Sequence, residues 1–289
     1  MDDGGQIERV GVVGCGLMGS GIAEVAARNG LDVVVVETDE RAMHAGQDRV
    51  SSSLAQAVRR GKLSEEDRDA TFGRILFTWE AEGLADRQLV VEAVPEIEAL
   101  KLDTFRVIDK TVTDPDAVLA SNTSSIPIMK LAMATDRPEQ VIGIHFFNPV
   151  PVLPLVELVP SLLTAPAVVE RAASFASGAL GKHVIESPDR AGFVVNALLI
   201  PYLLSSIRML ESGFATAEHI DNGMVQGCAH PMGPLALADL IGLDTVMAVA
   251  LSMYEEFKEP LYAPPPMLSR MVDAGLLGRK SGRGFHRYA

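Results

Sequence analysis

Cysteine is almost absent from this chain. Cys15 and Cys228 lie far apart in sequence, so neither a disulfide framework nor a clustered cysteine metal site can be built from them. Long apolar runs are missing too. The nearest to one, Leu198 to Leu204, is interrupted by Pro201 and falls short of the roughly 20 residues needed to cross a bilayer. Basic residues are in deficit, 25 Lys and Arg against 38 Asp and Glu, and the net charge of −13 repels a phosphate backbone, so no nucleic-acid partner is expected. That charge still permits a phosphorylated cofactor, which a few local cations or one helix N-terminus can hold. Tracts of low complexity and blocks of like charge are lacking, which removes the composition of a disordered chain. The opening MDDGGQIERV has no basic stretch leading into an apolar one, unlike a signal peptide, and the expected compartment is the cytoplasm, with no membrane association.

What is present is a packed globular composition, 48% apolar and 22% charged, in a chain of 289 residues that fits two domains of ordinary size. The first part alternates short β-branched runs with longer amphipathic stretches, the signature of a mostly parallel, doubly wound α/β sheet. Expected strands are 10–13, 33–37, 89–94, 118–121, 141–145 and 155–159; expected helices are 18–28, 42–60 and 98–110. Prolines at 149, 151 and 154 forbid a helix after the fifth strand and favour extended backbone. Beyond Asp189 the strand-like runs vanish and helical periodicity takes over, with Leu199, Leu203, Ile207 and Leu210 on one face. The expected division is therefore an α/β dinucleotide-binding domain over 1–188 and an all-α domain over 189–289, whose apolar stripe suits a core and a subunit interface.

The strongest local signal is Val10-Gly-Val-Val-Gly14-Cys-Gly16-Leu-Met-Gly19, a GxGxxG that follows a strand and opens a helix. Gly14 permits the tight turn, Gly16 lets the backbone approach a pyrophosphate, and Gly19 allows close helix–strand packing. The amides of Leu17 and Met18, at the start of the helix, then face the phosphates. Glu37 ends the second strand eighteen residues after Gly19, where a carboxylate accepts hydrogen bonds from the adenosine ribose. It would repel a 2′-phosphate, and Arg41 is the one cation close by in sequence, so NAD is the expected cofactor. Cys15, between two of the glycines, reads as a small residue packed under the pyrophosphate; its position also suggests that alkylation could block the cofactor.

A dehydrogenase of alcohols needs a base near the carbinol, and histidine titrates closest to neutrality. His145 ends a strand of the expected sheet, and ligands in such folds gather beyond the carboxyl ends of the strands. Glu157 follows twelve residues later inside the apolar run Leu155-Val-Glu-Leu-Val159, where a carboxylate is costly unless paired. The two are expected to form a catalytic pair.

At this point the sequence resembles the L-3-hydroxyacyl-CoA dehydrogenases, most nearly the short bacterial 3-hydroxybutyryl-CoA type. The likeness rests on the glycine motif together with Val91-Glu-Ala-Val-Pro-Glu96, Ser121-Asn-Thr-Ser-Ser125, His145-Phe-Phe-Asn-Pro-Val-Pro151, Gly192-Phe-Val-Val-Asn196, His230-Pro-Met-Gly-Pro234 and Gly278-Arg-Lys-Ser-Gly-Arg-Gly-Phe285. It implies NAD-dependent, reversible oxidation of a (3S)-3-hydroxyacyl-CoA, with His145 as general base and Glu157 as its orienting partner. It further implies that Ser124 and Asn196 hydrogen-bond the substrate oxygens and that Asn148 lies near the nicotinamide. Glu96 and Lys101 would line the nicotinamide-ribose end, and Lys280 would fold back toward the cofactor. A homodimer formed through the helical domain is also implied.

The resemblance places the CoA end at Ser53 and at a basic residue near the end of the second helix. That residue is one of Arg59, Arg60 and Lys62, with the choice among them open in the sequence; Arg60 is the one carried into the expected site. After Glu157, Val159-Pro-Ser161 replaces the basic or polar residues the family would carry there. That leaves three alternatives: a 3-hydroxyacyl group on acyl carrier protein, a free 3-hydroxy or sugar acid, and a non-catalytic NAD-binding protein. Ser124, His145, Glu157 and Asn196 argue against the last, because binding alone needs none of them. No metal ligand set is expected.

Overall fold

The computed structural model describes residues 6–288; residues 1–5, on which the reading of the opening segment rests in part, and residue 289 lie outside the described residues. The chain divides into two compact units between Asp189 and Arg190. Asp189 stays with the first unit for a physical reason. Its carboxylate accepts hydrogen bonds from the amides of Ile128 and Met129, capping a short helix whose preceding residue, Pro127, supplies no side-chain cap.

The first unit runs β1 (Arg9–Val13), α1 (Leu17–Arg28), β2 (Asp32–Val36), α2 (Glu40–Arg59), α3 (Glu65–Gly73), β3 (Ile75–Thr78), β4 (Leu89–Glu92), α4 (Glu98–Thr111), β5 (Val118–Ser121), α5 (Ile128–Ala132), β6 (Val141–Phe146), β7 (Leu155–Pro160), α6 (Pro166–Ala173) and β8 (His183–Glu186). These strands form one sheet in the order β3-β2-β1-β4-β5-β6-β7-β8. Every neighbouring pair is parallel except β6–β7. The strands read as apolar runs because both faces are covered. Val10, Val12, Val33, Val35, Leu89 and Val91 pack with residues of α1, α2 and α6, while the alternate Val34, Val90 and Leu119 are equally buried on the other face.

The order reverses at β1, which pairs with β2 on one side and β4 on the other. That is the switch point at which such sheets open a crevice for a dinucleotide. The loops bordering it are Gly14–Gly16 after β1 and Ala93–Pro95 after β4.

Periodicity did not disclose β3, β8, α3, α5 or α6, which are four to nine residues long. The proline segment 148–154 also differs from expectation. It is turned rather than extended, with the amides of Val152 and Leu153 both donating to the Pro149 carbonyl, and the Asn148–Pro149 peptide is cis. An antiparallel partner for β6 requires the chain to reverse there.

The second unit comprises α7 (Val195–Glu211), α8 (Ala217–Cys228), α9 (Pro234–Ile241), α10 (Leu243–Phe257) and α11 (Pro266–Asp273). Its core gathers Leu203, Ile207, Leu235, Val246 and Met253. The tail after α11 is held by two acids. Asp239, almost fully buried, accepts from the amides of Phe285 and His286 and from the Tyr288 hydroxyl, and Asp221 accepts from His286 Nε2. Among the described residues no single helix is long and apolar enough to cross a membrane. α9 and α10 pass that test only together, bent by 95°, and Leu235, Ala238, Leu243 and Val246 from that pair belong to the unit's core.

Candidate active site

The glycine loop shows why each glycine is required. Gly14 has φ +88°, and a Cβ on it would crowd the Ala93 carbonyl. A Cβ on Gly19 would fall 1.8 Å from the Gly14 carbonyl oxygen, so α1 can approach β1 this closely only without one. Gly16 differs: an added Cβ would meet no atom of the protein within 4 Å. Gly16 is also the N-cap of α1 and gives no side-chain cap, which leaves the first amides, those of Leu17 and Met18, for a ligand. The residues therefore fit a dinucleotide pyrophosphate.

Glu37, just beyond β2, accepts a hydrogen bond from the Cys15 amide at 2.5 Å through Oε1, which ties the carboxylate expected at the ribose to the loop itself. Arg49, from α2, donates to the Cys15 carbonyl at 3.0 Å. Its place thirty residues beyond the motif gave no signal in sequence. Cys15 is fully buried, and Gly46 of α2 sits so close that a Cβ there would lie 2.8 Å from the sulfur. Burial, reinforced by Glu37 and opposed by Arg49, pushes the Cys15 thiol up to about 12. This corrects the alkylation idea: at neutral pH the sulfur is neither accessible nor ionised.

At the other side of the crevice, β6 and β7 bring His145 and Glu157 into direct cross-strand register. Imidazole Nδ1 lies 2.7 Å from Glu157 Oε2, with Glu157 fully buried and His145 5% exposed. Ser124 Oγ lies 3.2 Å from Nε2. With Glu157 accepting a hydrogen bond from an Nδ1 proton, the neutral imidazole directs its Nε2 lone pair toward Ser124. The Phe147 ring, its centroid 4.6 Å from that of the imidazole, packs against it.

Ser124 is positioned by an acid that the sequence reading gave to the cofactor. Glu96 Oε1 accepts from the Thr123 hydroxyl, the amides of Ser124 and Ser125 and the Ser125 hydroxyl. Burial alone would push the Glu96 carboxyl up; the Lys101 ammonium and these donors outweigh it and hold it below the usual carboxylate range. Lys101 differs from expectation more sharply. It is 1% exposed, and its Nζ donates to Glu92 Oε1 at 2.6 Å and to the Val94 carbonyl, with Glu96 Oε2 at 3.3 Å. It braces the crevice wall from inside.

Glu92, unassigned from sequence, is the hub of that brace. Fully buried at the end of β4, it also accepts from the Val94 amide and the Ser121 hydroxyl. The signal was available: a carboxylate closing an otherwise apolar strand must have a partner.

The remaining expected residues are dispersed. Asn148 is exposed, two residues beyond β6. Asn196 lies in the first turn of α7 and is half-buried; Lys280 is exposed, with Nζ 2.6 Å from both carboxylate oxygens of Asp244. Both belong to the second unit. Ser53 lines a cavity of about 380 Å³ with Ser20, Glu24, Arg49, Val150 and Pro151, whereas Arg60, at the exposed end of α2, does not line it.

Residues 9–190 match the family model described as 3-hydroxyacyl-CoA dehydrogenase, NAD binding domain, and residues 192–288 match 3-hydroxyacyl-CoA dehydrogenase, C-terminal domain. A 3-hydroxybutyryl-CoA dehydrogenase of Mycobacterium tuberculosis is 61% identical over 282 residues, covering 98% of this chain and 99% of that protein. The crystal structure of M. tuberculosis FadB2 is similar at a TM-score of 0.98 and 60% identity, covering 99% of this chain and 100% of the other. (S)-3-Hydroxybutyryl-CoA dehydrogenase PaaH1 from Ralstonia eutropha follows at a TM-score of 0.92 and 43% identity, covering 98% and 100%. With both halves matched and identity at this level, the chain belongs to the 3-hydroxyacyl-CoA dehydrogenase family.

Proposed function

We propose that this protein oxidises a short-chain (3S)-3-hydroxyacyl-CoA, of the 3-hydroxybutyryl class, to the 3-oxoacyl-CoA, reversibly and with NAD. The observation that carries the reading is the chain Ser124–His145–Glu157 at the carboxyl ends of the strands, beside a glycine loop that fits a dinucleotide. NAD bound on that loop supplies the acceptor for the hydride that leaves C3.

His145 Nε2 takes the proton of the 3-hydroxyl as that hydride departs. Glu157 holds the imidazole tautomer through Nδ1 and stabilises the imidazolium that results, the logic of a hydrolase triad without its nucleophile. Ser124 orients the same hydroxyl, and Glu96 fixes Ser124 by holding its loop. Asn196 is a second substrate contact in this reading. Glu37 disfavours a 2′-phosphate near the adenosine ribose, which selects NAD over NADP. Oxidation releases a proton, so low pH favours reduction of the ketone.

The protein acts in the cytoplasm as a homodimer in this reading. Leu198, Phe214 and Leu251 of the helical unit are exposed apolar side chains that suit a subunit interface.

The test follows NADH loss with acetoacetyl-CoA, with free acetoacetate and NADPH as parallel controls. Turnover with the thioester and NADH alone supports the reading. Protein that binds NADH yet leaves the CoA ester untouched overturns it in favour of another acyl carrier or a free acid.

A further inference from the structure

A carboxylate and an ammonium are sealed together at the carboxyl end of β4. Glu92 is fully buried, and Lys101, in the first turn of α4, is 1% exposed, with 2.6 Å between Nζ and Oε1. Taking both charges out of water costs as much as their attraction commonly returns, and apolar or neutral side chains of similar volume stabilise such a place equally well. Stability alone does not explain the pair.

What the pair holds is two loops. One is Ala93–Pro95, which borders the dinucleotide crevice. Val94 is fixed there from both ends: its amide donates to Glu92 Oε1 at 2.7 Å, and its carbonyl accepts from Lys101 Nζ at 3.1 Å. The other is the loop after β5. Ser121 lies opposite Glu92 in the β4–β5 register, and its hydroxyl donates to Glu92 Oε2 at 2.6 Å and accepts from the Thr123 amide at 3.1 Å. Lys101 reaches the same loop through Glu96, whose Oε2 is 3.3 Å from Nζ and whose Oε1 gathers residues 123–125.

That second loop is joined in turn to β6. Asn122 Oδ1 accepts from the Phe146 amide at 2.8 Å, and Ser124 Oγ lies 3.2 Å from His145 Nε2. The two oxygens of Glu92 are thus divided between the walls, Oε1 to Val94 and Lys101 and Oε2 to Ser121. A rotation that favoured one wall would release the other. The β4–β5 register closes at Glu92 and Ser121, and beyond it these side chains keep the loops in step.

We infer that the Glu92–Lys101 pair is a positioning device for the hydride-transfer step, setting the cofactor wall at 93–95 against the Ser124 loop. Fully buried, Glu92 meets neither reactant and acts through Val94, Lys101 and Ser121. Its contribution is to the rate, because a small misplacement of correctly bound reactants costs turnover before it costs binding. This rests on the dehydrogenase reading above.

The test replaces the pair by neutral side chains of similar size, Glu92→Gln together with Lys101→Met. The new amide still accepts from Val94 and can donate to the Ser121 hydroxyl, and neither member of the pair is left as an unpaired buried charge. Lys101→Met alone strands the Glu92 carboxylate and is expected to depress the melting temperature; the double variant is expected to regain most of it. With acetoacetyl-CoA and NADH, kcat of the double variant is expected to stay about tenfold to a hundredfold below wild type, with KM and the NADH dissociation constant near wild type. Ser121→Ala cuts only the tie to the Ser124 loop and is expected to lower kcat about tenfold in the same pattern.

A readout independent of turnover is the 15N-imidazole spectrum of His145, assigned by its loss in His145→Ala. Its Nε2 resonance is expected to shift in both variants as Ser124 moves. Wild-type kcat in the folded double variant or in Ser121→Ala overturns the inference, as does a fall in kcat matched by an equal loss of substrate or NADH binding. Should the double variant fail to fold, Ser121→Ala decides alone. Shifted Nε2 resonances in a protein that leaves the thioester untouched would overturn the thioester reading and keep the positioning role. Turnover and an Nε2 resonance that neither variant moves would do the reverse.

Discussion

Across the antiparallel pair β6–β7, His145 and Glu157 are directly opposed, with imidazole Nδ1 2.7 Å from the carboxylate Oε2. The register that opposes them belongs to the sheet, so the imidazole is oriented by the same hydrogen bonds that hold the strands. Both side chains sit on a wall with almost no solvent, which makes each the other's necessary partner.

Replacing the two tests their division of labour. His145→Ala is expected to lower kcat by about two to four orders of magnitude, the usual worth of a general base. Glu157→Gln should lower kcat while the NADH dissociation constant stays near that of the wild type. Steady-state rates and NADH fluorescence titration read both. More than a tenth of wild-type turnover in His145→Ala would remove the base assignment, and an equal loss of NADH affinity in Glu157→Gln would make that residue structural.

Glu96 is expected to act through Ser124. Glu96→Ala removes the acceptor shared by four donors of the 123–125 loop and should lower kcat about tenfold or more by misplacing Ser124. The sign of its pH effect follows from the lowered carboxyl. Its stabilising contribution is present above the ordinary carboxylate value of 4.5 and is lost as pH falls through the lower folded value. Loss of NADH affinity with kcat intact would return Glu96 to the cofactor.

The glycines separate folding from binding. Gly16→Ala has φ −67° and room for its methyl, so the melting temperature should hold while NADH affinity falls. Gly19→Ala drives a methyl into the Gly14 carbonyl and should depress the melting temperature itself. Thermal denaturation with and without NADH distinguishes them, and identical behaviour of the two variants would contradict the assignment.

Glu24 gives a stability prediction of opposite sign to Glu96. Burial pushes its carboxyl up, and Ser53 and Arg28 offset only part of that. A carboxyl raised in the folded state favours folding fully below its ordinary value of 4.5, and that contribution is lost as pH rises through the folded value. Glu24→Gln should therefore raise the melting temperature at pH 7 by about 2 °C, the scale of roughly 1 kcal/mol in a chain of this size. The gain should fade toward pH 4.5. A gain that is the same at both pH values would contradict it.

Much of this was legible in the residues. Sequence determined the dinucleotide unit, because a strand, a GxGxxG and an acid-terminated second strand are local features whose physics needs no partner. It determined the change to helices after Asp189 through periodicity, and the His145–Glu157 pairing through the cost of a carboxylate in an apolar strand. Tertiary structure alone decided the short elements β3 and β8, which are held by neighbouring strands rather than by their own pattern. It also turned Lys101 inward onto Glu92 and gave Glu96 to the Ser124 loop. Local order follows from near neighbours, whereas the partner of a buried charge is chosen by whichever distant element reaches it.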